Sequence, residues 1–189
     1  MSAALVELDR AAFAARADEV LDVYAEAMEV ARSMASGRRS ILATHLERDG
    51  LAAVGAVDGD GALVGIAYGY CGAPGQWWHD QVRAALDEQS ARRWLDGSFE
   101  VCEFHVRPAH QGTGLGRALL AALLSRTDAR TAVLTTPDLD TRARRFYATA
   151  GWVDLVSDLR FPGDPRSFAV LALPLRSGPL ASSPLASGG

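Results

Sequence analysis

From Val106 to Leu120 the chain reads Val-Arg-Pro-Ala-His-Gln-Gly-Thr-Gly-Leu-Gly-Arg-Ala-Leu-Leu, with its glycines spaced G-x-G-x-G. Glycines that close together allow backbone N–H groups to converge, because no Cβ restricts φ or holds a ligand off the main chain. An apolar run, Phe99–Val106, leads into this loop and a helical pattern, Arg117–Leu124, leads out of it. A strand, a glycine loop and a helix start form an anion seat, since the positive end of the helix dipole meets the same point. A phosphate-bearing ligand is therefore expected. Two familiar glycine loops do not fit. A nucleoside-triphosphate loop ends in Gly-Lys-Ser/Thr, whereas Gly116 is followed by Arg117 and Ala118. A dinucleotide fingerprint reads G-x-G-x-x-G in the first βα unit, whereas this loop lies past mid-chain.

The strand before the loop carries two acids, Glu100 and Glu103. A positioned carboxylate can take the proton from an ammonium group, directly or through water. Residues two apart in a strand share a face, so Glu100, Cys102, Phe104 and Val106 are expected to point one way. Glu103 is then expected on the opposite face, unless a β-bulge intervenes. Downstream, Ala143-Arg-Arg-Phe-Tyr-Ala-Thr-Ala-Gly-Trp152 places Phe146 and Tyr147 on a helix.

Together the two segments resemble the GNAT superfamily of N-acetyltransferases: the glycine loop resembles its acetyl-CoA pyrophosphate loop, and the second segment its A-x-x-F-Y-x-x-x-G-F/W motif. The resemblance covers about residues 99–153. It implies acetyl-CoA as co-substrate, with Gln111, Gly112, Thr113, Gly114, Leu115, Gly116 and Arg117 around the pyrophosphate. It also implies that Phe104, His105 and Val106 pair through their main chain with the pantetheine arm. Several members place an acid six residues before the valine of Val-x-Pro, which makes Glu100 the first candidate for the general base. Others have a pocket acid where Glu103 falls, and the family often has a β-bulge near that point. Tyr147 matches a tyrosine near the coenzyme sulfur, implying a general acid toward the leaving thiolate, with Phe146 packing against the sheet. Asp140 departs from the family, which often has asparagine there against the coenzyme arm; its alternative role is N-cap of the helix that follows. Arg107, Arg117, Arg142 and Arg144 are candidates to neutralise the phosphates, Arg117 foremost.

Those residues need a scaffold, and its elements are visible in the patterning. A short strand is expected at Leu5–Leu8, a helix at Phe13–Val30 and another at Arg39–Arg48. Leu51–Val57 and Ala62–Cys71 flank Asp58-Gly-Asp-Gly61 and read as a hairpin. Trp77–Leu95 reads as one helix carrying three of the four tryptophans, either packed on the sheet or forming a wall of the acceptor pocket. Strand 99–106, helix 117–126 and strand 131–136 form a parallel β-α-β unit. A helix at 139–149 and strands at 152–159 and 167–175 follow. This order argues for an α/β layered fold with a mixed sheet. The family resemblance makes that sheet mostly antiparallel, with one splayed parallel pair and helices on both faces.

The 189 residues are expected to form one domain over 1–176, with a low-complexity, disordered tail at 177–189. A net charge of −4 argues against a nucleic-acid binder. No apolar run reaches the length of a membrane span, and the first residues lack an export signal, so a cytoplasmic protein is expected. Cys71 and Cys102 have neither metal-ligand nor disulfide spacing, and no metal is expected. All 19 basic residues are arginine, and neither lysine nor asparagine occurs, which fits a GC-rich genome. The expected function is transfer of acetyl from acetyl-CoA to a primary amine, on a small molecule or a peptide, in a ternary complex. The rival is a non-catalytic acyl-CoA-binding regulatory module; the presence of Tyr147 and both strand acids favours the enzyme. Dimers are frequent in the family, so the resemblance makes a homodimer an alternative to the monomer.

Overall fold

The computed structural model describes residues 3–175, so the expected disordered tail lies outside the described residues. Seven strands form one sheet: β1 (Ala4–Glu7), β2 (Ala52–Val57), β3 (Leu63–Cys71), β4 (Ser98–Val106), β5 (Thr131–Pro137), β6 (Val153–Leu159) and β7 (Phe168–Pro174). Their spatial order is β1-β2-β3-β4-β5-β7-β6, and every neighbouring pair is antiparallel except β4 with β5. The mixed sheet with one parallel pair is as expected.

The hairpin turn works through one side chain. The Asp58 carboxylate accepts from the N–H groups of Asp60 and Ala62, each at 3.0 Å, and Gly61 takes φ +80°. Two helices expected to be continuous are broken. Phe13–Val30 forms α1 (Arg10–Ala15) and α2 (Ala17–Ala27), the former capped by Asp9. On either side of the break at Arg16, Phe13 packs on Tyr68, and Val20 and Val23 join the same cluster. Arg16 then pairs with Glu19 through two hydrogen bonds of 2.9 and 2.8 Å. Trp77–Leu95 likewise forms α5 (Trp77–Ala84) and α6 (Glu88–Trp94), because Asp87 caps a new helix by accepting from Ser90 N–H at 2.9 Å. Between α2 and β2 lie α3 (Arg32–Ser36), which the apolar spacing does not foreshadow, and α4 (Arg39–Leu46). The remaining helices are α7 (Leu115–Leu124) and α8 (Arg142–Thr149).

One face of the sheet is covered by α7 and α8, with Phe99, Val101, Leu119, Leu123, Leu134, Tyr147 and Trp152 in a single cluster. The other face holds two clusters. One lies beneath α1, α2 and α4, around Phe13, Val20, Ile66 and Tyr68; the other lies beneath α5 and α6, around Val82, Leu95, Val133 and Val170. The polar side chains of β4 lie between them.

β4 also carries a bulge. Val101 is opposite Gly69 and Glu103 is opposite Tyr68, so Cys102 is an extra residue with no partner on β3. The bulge resets the alternation: Phe99, Val101, Phe104 and Val106 face α7, while Glu100, Cys102, Glu103 and His105 face the other way. Phe104 and Val106 therefore do not share a face with Glu100, contrary to simple alternation. Glu103 does.

Gly69 makes the close approach of β3 and β4 possible. A Cβ there would lie 2.1 Å from the Glu100 carbonyl oxygen and 2.6 Å from the Phe99 ring. Gly69→Ala should cost about 1–3 kcal/mol through overpacking, read as a lower urea midpoint. An unchanged midpoint would show that the bulge relaxes freely.

Candidate active site

β4 and β5 pair only where Ser98–Glu100 meets Thr131–Val133. Beyond that point the two strands separate into a cleft of about 610 Å³. Its walls include Val101–Val106, Thr136, Pro137, Phe146 and Tyr147, together with Ala27 at the end of α2 and Met28 just after it. The main chain of β4 is polarised along it. Arg107 donates its N–H to the Val64 carbonyl at 2.9 Å, so alternation turns His105 toward β3 as well. Phe104 presents its backbone groups to the cleft, and Val106 its N–H, since the Val106 carbonyl accepts from Gln111. His105 therefore departs from the expected main-chain trio; its backbone is used by β3.

The glycine loop closes one end of the cleft. Gly112 and Gly114 have φ of +77° and +86°, conformations that a side chain would strain. Gly116 serves differently: it sits in the first turn of α7, where a Cβ would lie 3.3 Å from the Phe104 ring. The first backbone bond of α7 runs from Ala118 N–H to Gly114 O, leaving the N–H groups of residues 115–117 without helical acceptors. Gln111 braces the loop, donating to the Val106 carbonyl at 2.8 Å and accepting from Arg142 at 2.8 Å. Arg117 and Arg142 line the cleft. Arg107 and Arg144 do not, being committed to Glu26 and to Asp154. Thr113 turns its hydroxyl back to the His110 carbonyl at 2.9 Å, and the Leu115 side chain packs on the core. Free N–H groups, a helix start and two arginines suit a diphosphate.

Asp140 stands away from this wall. Its side chain is 85% exposed and pairs with Arg145, and α8 is capped by Thr141, which accepts from Arg144 N–H at 3.1 Å. Both expected roles for Asp140 are unsupported: the cap belongs to Thr141, and Thr141, not Asp140, reaches the cleft. Phe146 packs on Phe104 and the core cluster, as expected, and also reaches the cleft. Tyr147 is the buried residue, packed against Phe104, Phe146 and Trp152, and Phe146 is half-buried beneath Arg117. Tyr147 nonetheless lines the cleft. Burial, and then the charge of Glu103, push its hydroxyl's proton affinity up.

The two acids differ in environment. Glu100 is 6% exposed, and one carboxylate oxygen has no hydrogen-bond partner among the described residues. Burial raises its pKa to about 7 against the opposing pull of Tyr70 and Cys102. It lies one residue behind the cleft wall, which Val101, Cys102 and Glu103 form. Glu103 is at the wall and fully engaged: one oxygen is 2.6 Å from His105 Nε2 and the other pairs with Arg38. Burial pushes its carboxyl up, but His105 and Arg38 outweigh it and hold the group below the usual range. Arg38 lies over the Tyr24 ring at 4.5 Å, and Tyr24 meets His105 edge-on at 5.2 Å. Sequence reasoning missed Arg38 and Tyr24. Tyr24 of α2 and Met28 just after it are a turn apart, a spacing that equally marks a core stripe, and Arg38 carries no motif.

Across the sheet, Trp78 donates its indole N–H to Thr135 Oγ1 at 2.6 Å, and Trp94, at the end of α6, packs on the cluster around Val82 and Leu95, so both serve the scaffold. Trp77 is 57% exposed against Phe161. His79 is buried beside Asp80, away from the cleft. No group of three metal-ligating side chains occurs among the described residues, and none of the described helices is long and apolar enough to cross a membrane.

The mixed sheet, with its one parallel pair splaying beside a glycine-loop helix start, defines an α/β layered fold with an anion seat at the splay. The model of the acetyltransferase (GNAT) family matches residues 17–152, and the chain belongs to that family. It is 34% identical to the GCN5-like protein acetyltransferase Rv2170 of Mycobacterium tuberculosis, over 93% of this chain and all of the relative. Among solved structures it resembles yncA of Salmonella typhimurium with its cofactor acetyl-CoA: TM-score 0.62, 17% identity, 98% of this chain and 99% of the other. It also resembles the PaiA N-acetyltransferase of Thermoplasma acidophilum in complex with coenzyme A: TM-score 0.61, 12% identity, 92% and 99% covered. These two likenesses are of fold.

The raised Glu100 carboxyl has a consequence for folding. Between about pH 4.5 and 7 the folded chain holds this proton and the unfolded chain does not, so the group's contribution to stability falls as pH rises through that window. Glu100→Gln should remove this slope and gain up to about 3 kcal/mol over wild type at about pH 8. Urea midpoints at both ends of the window measure it; parallel curves for the two proteins would contradict the shift.

Proposed function

We propose that this acetyltransferase moves the acetyl group of acetyl-CoA directly to a primary amine in a ternary complex. The observation that carries the reading is the cleft itself, with an anion seat at one end and a carboxylate-bearing face along β4. The backbone of residues 112–117, with Arg117 and Arg142, holds the diphosphate. The main chain of Phe104 and Val106 pairs with the pantetheine arm, which brings the thioester to the splay. Bound there, the coenzyme supplies an activated acyl carbon and a thiolate leaving group. Glu100 accepts the proton of the acceptor ammonium, through a bridging water where the amine does not reach it, since its pKa of about 7 suits a base at neutral pH. The freed amine attacks the carbonyl carbon, the C–S bond breaks, Tyr147 donates its hydroxyl proton to the thiolate, and the second proton that the nitrogen loses as the amide forms restores the Tyr147 hydroxyl. Glu103, already ionised, holds cationic groups in place rather than carrying the proton.

The acceptor enters on the face opposite α7 and α8, where Glu103, His105 and Tyr24 meet. The mycobacterial relative is named a protein acetyltransferase, which supports an amine on a peptide or protein over a small-molecule acceptor.

A thiol-release screen with acetyl-CoA tests the reading against lysine peptides, free peptide N-termini, polyamines and aminoglycosides. Turnover with the peptides is expected. Tight acetyl-CoA binding without turnover on any amine would instead make this a regulatory acyl-CoA-binding module. Tyr147→Phe should lower kcat at least about tenfold with little change in KM for acetyl-CoA, as loss of an acid used only in the transition state requires. Wild-type kcat in that variant would remove Tyr147 from the chemistry.

A further inference from the structure

We propose that Glu103 and Tyr24 form a seat for a guanidinium or ammonium group, that Arg38 fills it from within the chain, and that a cationic acceptor enters by displacing Arg38. The inference rests on the amine-acceptor reading above and assigns its specificity. A carboxylate on one side and an aromatic face on the other are what a planar cation needs, and both contacts are made to Arg38. The carboxylate wall of this seat is fixed. Glu103 is held by His105 on its own strand, and its side chain is only 12% exposed. The filler is not fixed in the same way. Arg38 projects from the turn between α3 and α4, and 37% of its side chain already meets solvent.

Glu103 also belongs to two cavities at once. It lines the coenzyme cleft and the nearly filled space around Arg38, which is further enclosed by Val20, Ile41 and Tyr68. A cation that reached Glu103 from outside would therefore lie beside the thioester end of the cleft. Simple departure of Arg38 would leave a buried carboxylate facing His105 alone, which is costly. Exchange for another cation keeps the charge balanced, and a neutral group cannot supply that exchange. Arg38 thus discriminates against uncharged acceptors and sets how strongly a cation must bind to enter.

Isothermal titration with methylguanidinium chloride at constant ionic strength tests the seat without any acetyl transfer. Arg38→Ala and Arg38→Gln should bind it at least about tenfold more tightly than wild type, and adding Glu103→Gln should abolish the gain. In wild type, the Arg38 Nε–H resonance should move as methylguanidinium is added, a readout that does not depend on how either variant folds. Equal binding by wild type and both variants, or an immobile Arg38 resonance at saturation, overturns the seat. Both variants should also show a lower KM for lysine peptides; an unchanged KM despite tighter methylguanidinium binding overturns displacement by the acceptor. Failure of the wild-type protein to acetylate any amine would refute the functional reading while leaving the methylguanidinium result to stand by itself.

Discussion

Cys102 is the residue that β4 has and β3 cannot match, and the site depends on where that mismatch is absorbed. With Val101 opposite Gly69 and Glu103 opposite Tyr68, alternation restarts one residue late. Glu100 and Glu103 then share the face away from α7, while Phe104 and Val106 turn their backbone groups toward the gap before β5. Without the bulge, Glu103 would point into the apolar layer beneath α7, where an ionised carboxylate has no place. The parting of β4 from β5 lies just before it, since their pairing ends at Glu100 with Val133. The insertion therefore puts both acids on the face of β4 away from α7, beside the opening.

The two acids show how environment separates roles between identical side-chain types. Glu100 is buried among groups too weakly charged to offset desolvation, so its proton is held to about pH 7. Glu103 is also buried, but His105 and Arg38 overcompensate and keep it ionised. Two carboxyl groups pushed in opposite directions suit a proton carrier and a fixed charge. Arg38 links this electrostatic arrangement to the N-terminal helices, so the segments before β2 belong to the site even though they carry no motif.

Much of the fold was legible because its signals are local. The Asp58–Gly61 turn, the glycine loop and the β-α-β patterning each depend on residues close in sequence, and each appears in the structure at nearly the expected bounds. The breaks at Arg16 and Asp87 were not read, since apolar spacing runs on through both; Asp87 did offer a cap signal that the tryptophan-rich pattern obscured. The facing of Phe104, Val106 and Glu103 required knowing β3, because a bulge is a property of a strand pair. Asp140 and Thr141 are adjacent candidates for one cap, and only the backbone decides that Thr141 serves. Arg38 and Tyr24 meet Glu103 across long stretches of chain, a contact that no spacing rule reveals.

The central claim is that Glu100 carries the acceptor's proton while Glu103 does not. The direct measurement is the pH dependence of kcat/KM for an amine substrate in wild type, Glu100→Gln and Glu103→Gln. The wild-type profile should show a limb rising with an apparent pKa near 7, since the unprotonated carboxylate is the active form. Glu100→Gln should lose that limb and about 100-fold or more in rate, whereas Glu103→Gln should keep the limb with a raised KM. A limb near 7 that survives in Glu100→Gln and disappears in Glu103→Gln would contradict it.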